Sequence, residues 1–233
     1  MFIQKVIVSG SYLEIYDYQK PVLENYERKP RNENQKPKEQ GERRTYSIVR
    51  TRNTIRRLIN VNFQSYQKVK FITLTFKKPV KDIAKANNYF KFFLRRLKRF
   101  LNKPNLKYIS IIEFQTSGRV HFHILAECKY IENKVLNKIW GKGFVNIRGY
   151  SDIKSVRNIG AYICKYLTKE TLDQRFNGQK AYQCSRGLKQ PIEYKGKLAK
   201  LILENCDKKL IYEKEFENEY RGKVMYKQYH YKN

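Results

Sequence analysis

Two of the three histidines in the chain, His121 and His123, are separated by one residue within Gly118-Arg119-Val120-His121-Phe122-His123-Ile124-Leu125. The run is apolar and β-prone. A strand turns alternate side chains to one face, so both imidazoles project from the same side and can share one metal ion. A divalent cation needs more than two imidazoles, and the preceding strand offers a carboxylate. Between Gln115 and Arg119 lie Thr116-Ser117-Gly118, a three-residue hairpin loop whose last position favours glycine. That loop length sets Glu113 opposite His121 and therefore on the same face. One more loop residue would set it opposite Phe122, facing away. The expected ligand set is Glu113, His121 and His123, with other positions open to water or substrate. Mixed imidazole–carboxylate ligation of this kind suits Mg²⁺ or Mn²⁺ in a phosphate-handling site and leaves Zn²⁺ open.

A second group of reactive side chains follows in Ile159-Gly160-Ala161-Tyr162-Ile163-Cys164-Lys165-Tyr166-Leu167-Thr168-Lys169. Val156, Ile159, Ile163 and Leu167 form an apolar stripe at helical spacing. Tyr162, Lys165, Tyr166 and Lys169 stand at i, i+3, i+4 and i+7 and form a second stripe. Two phenols one turn apart, interleaved with ammonium groups, suit attack on a phosphodiester. A phenol with a pKa of about 10 is a weak nucleophile at neutral pH. A lysine beside it and a metal-polarised phosphate would lower the barrier from both sides.

The charge supports that substrate. The 233 residues carry 50 Lys+Arg against 21 Asp+Glu, a formal net charge of +29. A field of that size over a folded body recruits polyanions, nucleic acid first among them. Cys128, Cys164, Cys184 and Cys206 are scattered, with no zinc-finger spacing, and read as reduced thiols. No segment approaches the apolar length of a membrane span, and the N-terminus alternates instead of running apolar as a signal peptide does. The expected setting is soluble and intracellular, without membrane contact.

The elements that must position these groups follow from periodicity. Residues 1–18 read as an N-terminal hairpin turning at Ser9-Gly10-Ser11, and 19–44 as a polar linker carrying Pro21, Pro30 and Pro37. A basic helix is expected over 45–60, with Val49, Ile55, Leu58 and Ile59 inward. Then come a buried strand (71–76), an amphipathic helix (81–101), two strands (107–115 and 120–127), a helix (131–140), a strand (144–148) and a last helix (156–169). This βαββαβ order predicts an α+β fold: a ferredoxin-like or RRM-like antiparallel sheet, helices on one face and the other face open, followed by the tyrosine helix. The catalytic domain is expected over 45–190. Residues 191–233 form a basic C-terminal extension, with a helix near 196–206 and two strands.

These residues resemble the HUH endonuclease superfamily. Within it the likeness is to two-tyrosine rolling-circle replication initiators of small circular single-stranded DNA phages of the microvirus kind and related plasmids. Phe71-Ile72-Thr73-Leu74-Thr75-Phe76 is similar to the first motif, a structural strand. Gly118-Arg119-Val120-His121-Phe122-His123 is similar to the second, the metal site, with Glu113 in the place of the third ligand. Tyr162-Ile163-Cys164-Lys165-Tyr166 is similar to the third, Y-x-x-K-Y. Trp140-Gly141-Lys142-Gly143-Phe144-Val145 and Ser185-Arg186-Gly187-Leu188-Lys189 resemble further segments of such initiators. The likeness spans about residues 70–190.

The resemblance implies that a metal-assisted tyrosine nicks single-stranded or hairpin origin DNA. A 5′-phosphotyrosine and a free 3′-hydroxyl for host polymerase would result, and the second tyrosine would act at termination, with Lys165 assisting. The order of the two tyrosines leans to Tyr162 first, on resemblance to single-tyrosine relatives. Arg119, Lys142, Lys169 and Arg186, in or beside the motifs, are expected to contact DNA. The sequence has no G-x-x-x-x-G-K-[ST], so unwinding would fall to a host helicase. Two other readings fit parts of the pattern: a single-strand transposase with the same core, and a non-catalytic basic nucleic-acid-binding protein.

Overall fold

The computed structural model describes residues 1–23, 40–64, 66–115, 117–149, 159–164, 180–204 and 206–231. It divides into two units, one made of both chain ends (Met1–Lys38 with Lys189–Asn233) and one of Glu39–Leu188. The fold is α+β with antiparallel sheets, compatible with a ferredoxin-like core.

The central unit contains α1 (Gln40–Asn62), β3 (Val69–Phe76), α2 (Ile83–Phe100), β4 (Tyr108–Phe114), β5 (Val120–Glu127), α3 (Asn133–Trp140), β6 (Gly143–Gly149), α4 (Ile159–Cys164) and β7 (Tyr182–Cys184). Its sheet has the order β6-β3-β5-β4-β7, every pair antiparallel. The edge strand β7 is tied to β4 by the Ser185 hydroxyl, which accepts from the Tyr108 amide at 3.1 Å. Helix α2 forms because Ile83, Ala86, Phe90, Phe93, Leu94 and Leu97 recur along one stripe; Asp82 caps its start by accepting from the Lys85 amide. Together with α3 it covers the sheet face that carries Ile72, Leu74, Phe76, Ile112, Phe122 and Ile124. Trp140 is fully buried there, and its indole N–H donates to the Thr75 carbonyl at 3.0 Å. Gly141 ends α3 in a left-handed conformation, φ 64°. A Cβ on Gly143 would lie 2.1 Å from the Thr75 carbonyl oxygen, so only glycine lets β6 start against β3.

The opposite sheet face was expected to lie open, and it does not. Val69, Phe71, Ile109, Ile111 and Leu125 project from it, and Ile55, Leu58 and Ile59 of α1, Phe63 just after it, and Ile159 and Ile163 of α4 pack over them. Five apolar side chains on that face need a cover, and the apolar stripe of α1 supplies it. Val49, expected inward, is 51 % exposed; among the described residues of α1, those buried against this face begin at Ile55.

The terminal unit contains β1 (Phe2–Ser9), β2 (Tyr12–Val22), β8 (Ile192–Lys195), α5 (Gly196–Glu204), β9 (Lys208–Asn218) and β10 (Gly222–Tyr231). The N-terminal hairpin and the C-terminal extension are halves of one sheet, ordered β8-β1-β2-β10-β9. Val6, Leu13 and Ile15 of the hairpin pack against Ala199 of α5 and Tyr231 of β10. Residues 24–39, within the expected linker, lie outside the described residues.

Candidate active site

The β4–β5 hairpin pairs Glu113 with His121 and Ile111 with His123. Gly118 takes φ 76°, and the Gln115 amide donates to the Arg119 carbonyl at 2.9 Å, closing the turn. Strand β3 then sets Thr75 opposite His121 and Thr73 opposite His123. Period-two alternation thus gathers Glu113, His121, His123, Thr73 and Phe71 on the face shared with α1 and α4.

One potential ligand atom from each of Glu113, His121 and His123 lies within 4.8 Å of the others. Both histidines are buried; Glu113 is partly open. His123 Nε2 and Glu113 Oε2 are 2.5 Å apart, and His123 Nδ1 lies 3.4 Å from the Thr73 hydroxyl. His121 Nε2 is buried without a hydrogen-bond partner among the described residues. A buried ring nitrogen is seldom left unpaired, and a cation is one group that would satisfy it. Burial pushes the His121 pKa down, helped by the neighbouring His123 and Arg119 and opposed by Glu113. The imidazole therefore stays neutral at pH 7, the form that ligates metals. Two imidazoles, one of them with an orphaned nitrogen, and a carboxylate fit a divalent cation; the group could bind one.

Tyr162 reaches this face through an aromatic spacer. Its ring meets Phe71 edge-on, centroids 5.8 Å apart, and Phe71 in turn stacks on His123 at 5.9 Å with an interplanar angle of 10°. Helix α4 can approach because Gly160 has no side chain: a Cβ there would lie 2.9 Å from the Arg56 carbonyl of α1. The Cys164 thiol donates to the Arg52 carbonyl at 3.3 Å and pins the other end of the helix.

Of the remaining expected residues, Arg119 is partly buried beside the triad, close enough to depress His121. Lys142 is placed with α2, its ammonium 4.9 Å over the Tyr89 ring on the helix-covered side of the sheet. Arg186 is exposed in the turn after β7. Lys165, Tyr166 and Lys169 lie outside the described residues. Sequence reasoning treated Phe71 and Thr73 only as parts of a structural strand. Their positions against the tyrosine and His123 depend on β3 pairing with β5, for which the local sequence carries no signal.

Residues 69–171, from β3 through the tyrosine helix, match the family model of the replication-associated proteins of the ORF2 type. The match supports a rolling-circle replication initiator, and the HUH motifs are consistent with it. Such a role implies binding of origin DNA. No curated protein and no solved structure matches the chain. Among the described residues no helix is long and apolar enough to cross a membrane.

Proposed function

We propose that the chain is a metal-dependent DNA nicking and joining enzyme that starts and ends rolling-circle replication through a phosphotyrosine. The observation that carries this reading is the convergence of Glu113, His121 and His123 on one sheet face, with Tyr162 one aromatic ring away. A divalent cation held by the three side chains would supply polarisation of the scissile phosphate. Tyr162 Oη attacks phosphorus; a new O–P bond forms, the P–O3′ bond breaks, and the 3′-oxygen leaves with a proton. The product keeps the phosphodiester energy in the protein–DNA bond, so no nucleotide cofactor is needed. Lys165 is assigned to steadying the phosphate or assisting the phenol. Tyr166 is assigned the second attack, on the regenerated origin; the 3′-hydroxyl it frees attacks the Tyr162 phosphotyrosine, the Tyr162–phosphorus bond breaks, and the circle closes. Arg119, partly buried beside the triad, is assigned to the entering strand; Lys142, Lys169 and Arg186 are assigned to DNA farther from the break. Host helicase and polymerase complete the cycle.

The test is incubation with labelled single-stranded origin DNA and Mn²⁺, followed by denaturing electrophoresis. The expected result is a covalent protein–DNA band that Tyr162→Phe with Tyr166→Phe abolishes. His121→Ala should remove cleavage while leaving most salt-sensitive binding, because the charge that drives affinity lies elsewhere. Cognate DNA bound without any adduct would refute the enzyme and leave a binding protein. Paired cleavage at the two ends of an element would instead favour a transposase.

A further inference from the structure

Helix α2 presents a surface that its own packing does not explain. Its 18 residues hold six cations (Lys85, Lys91, Arg95, Arg96, Lys98, Arg99) and no acidic side chain. Arg96 has a structural role within the unit, because its guanidinium donates to the Ile139 and Trp140 carbonyls at 2.7 and 2.9 Å and closes the end of α3. Among the described residues no carboxylate pairs with Lys91, Arg95, Lys98 or Arg99. Lys91 and Arg95, and again Arg95 and Arg99, stand four residues apart, where like charges weaken a helix.

Aromatic exposure compounds the anomaly. Phe92 is 38 % exposed, and the Arg95 guanidinium lies over its ring at 5.0 Å. A solvent-facing Arg–Phe stack offers a base both a π-face and a cation. Beside it a groove runs between α2 and the β7 edge, lined by Asn87, Lys91, Arg95, Lys98, Tyr108 and Gln183. Its wall is fixed by Gln183 Nε2 donating to Asn87 Oδ1 at 2.6 Å.

We propose that this outer face of α2 is a second single-stranded DNA site, on the side of the sheet opposite the triad, where Lys91, Arg95 and Lys98 hold phosphates and Phe92 stacks a base. The inference rests on the reading above only in taking DNA as the polyanion. Strand β4 links the two sites, since Tyr108 lines the groove and Glu113 belongs to the triad. Five residues of strand separate them by about 17 Å. A strand rounding the β7 edge would touch both, so the flanking DNA is held while its scissile phosphate sits at the triad.

The experiment measures anisotropy of labelled oligothymidylate with the full chain in EDTA, across a salt series, so that binding is read apart from cleavage. Replacing Lys91, Arg95 and Lys98 together with alanine should weaken binding about tenfold at low salt and reduce the salt slope by about 2, three contacts at ~0.7 each. Phe92→Ala should weaken it roughly fivefold with the slope unchanged. Alanine at Lys208, Lys209 and Lys214 of β9 removes equal charge and should leave the slope as it was. The proposal is overturned if the α2 triple variant keeps its slope, if the β9 variant loses as much, or if the loss appears only with duplex DNA. Adduct formation by the unaltered protein is scored separately, so failure of the nicking reading and failure of this site give different results.

Discussion

The two histidines of the triad, though nearly adjacent in sequence, should differ sharply in what their removal costs in the absence of metal. His123 is bonded to the Glu113 carboxylate at 2.5 Å and stacked on Phe71. His123→Ala forfeits a hydrogen bond to a charged group and an aromatic contact, together about 3 kcal/mol. At 2–4 °C per kcal/mol for a unit of this size, Tm should fall by ~6–12 °C. His121 Nε2 is buried with no partner among the described residues. Its unpaired nitrogen already costs about 1–3 kcal/mol, which alanine relieves while opening a small cavity. His121→Ala in EDTA should therefore lie within about 1 kcal/mol of the unaltered protein. Cation raises both costs equally and makes His121→Ala costly for the first time: at a hundredfold excess over Kd, Mn²⁺ stabilises the intact site by about 2.7 kcal/mol, and neither variant should gain it. Differential scanning calorimetry of the unaltered protein and both variants, with EDTA and with Mn²⁺, reads all six states. The reasoning fails if His121→Ala costs the same with and without metal, or if Mn²⁺, Mg²⁺ and Zn²⁺ all leave the unaltered Tm unmoved.

Burial pushes the Cys128 and Cys164 thiols up to about 11, while Cys184 is exposed. At pH 8 only about one in a thousand of the buried pair is thiolate, so N-ethylmaleimide should label Cys184 in the native protein and spare both. Mass spectrometry showing Cys128 or Cys164 labelled as fast as Cys184 would contradict this burial. Gly143→Ala drives a methyl group into the Thr75 carbonyl and the Lys77 amide, forcing β6 off β3. It should lower stability in urea unfolding by about 3 kcal/mol. A change below ~0.5 kcal/mol would mean that the β3–β6 register differs from the one described.

The triad was legible because its geometry is local. Period-two alternation puts His121 and His123 on one face, and the three residues between Gln115 and Arg119 fix Glu113 opposite His121. Both constraints act within fifteen residues of chain, and neither depends on what else the sheet contains. The same holds for α2, whose apolar stripe reads directly as its buried face.

Long-range pairing was another matter. That β3 lies between β5 and β6, so that Phe71 separates Tyr162 from His123, is a choice among strand orders that periodicity leaves equal. Which helix covers the histidine face was equally hidden, because the apolar stripe of α1 names no partner. The joining of the hairpin to the C-terminal strands depends on β2 meeting β10, some two hundred residues away. The sequence by itself determined which side chains share a face, since backbone geometry repeats every few residues. Only the tertiary structure decided which faces meet, since that depends on burying apolar area summed over the whole chain.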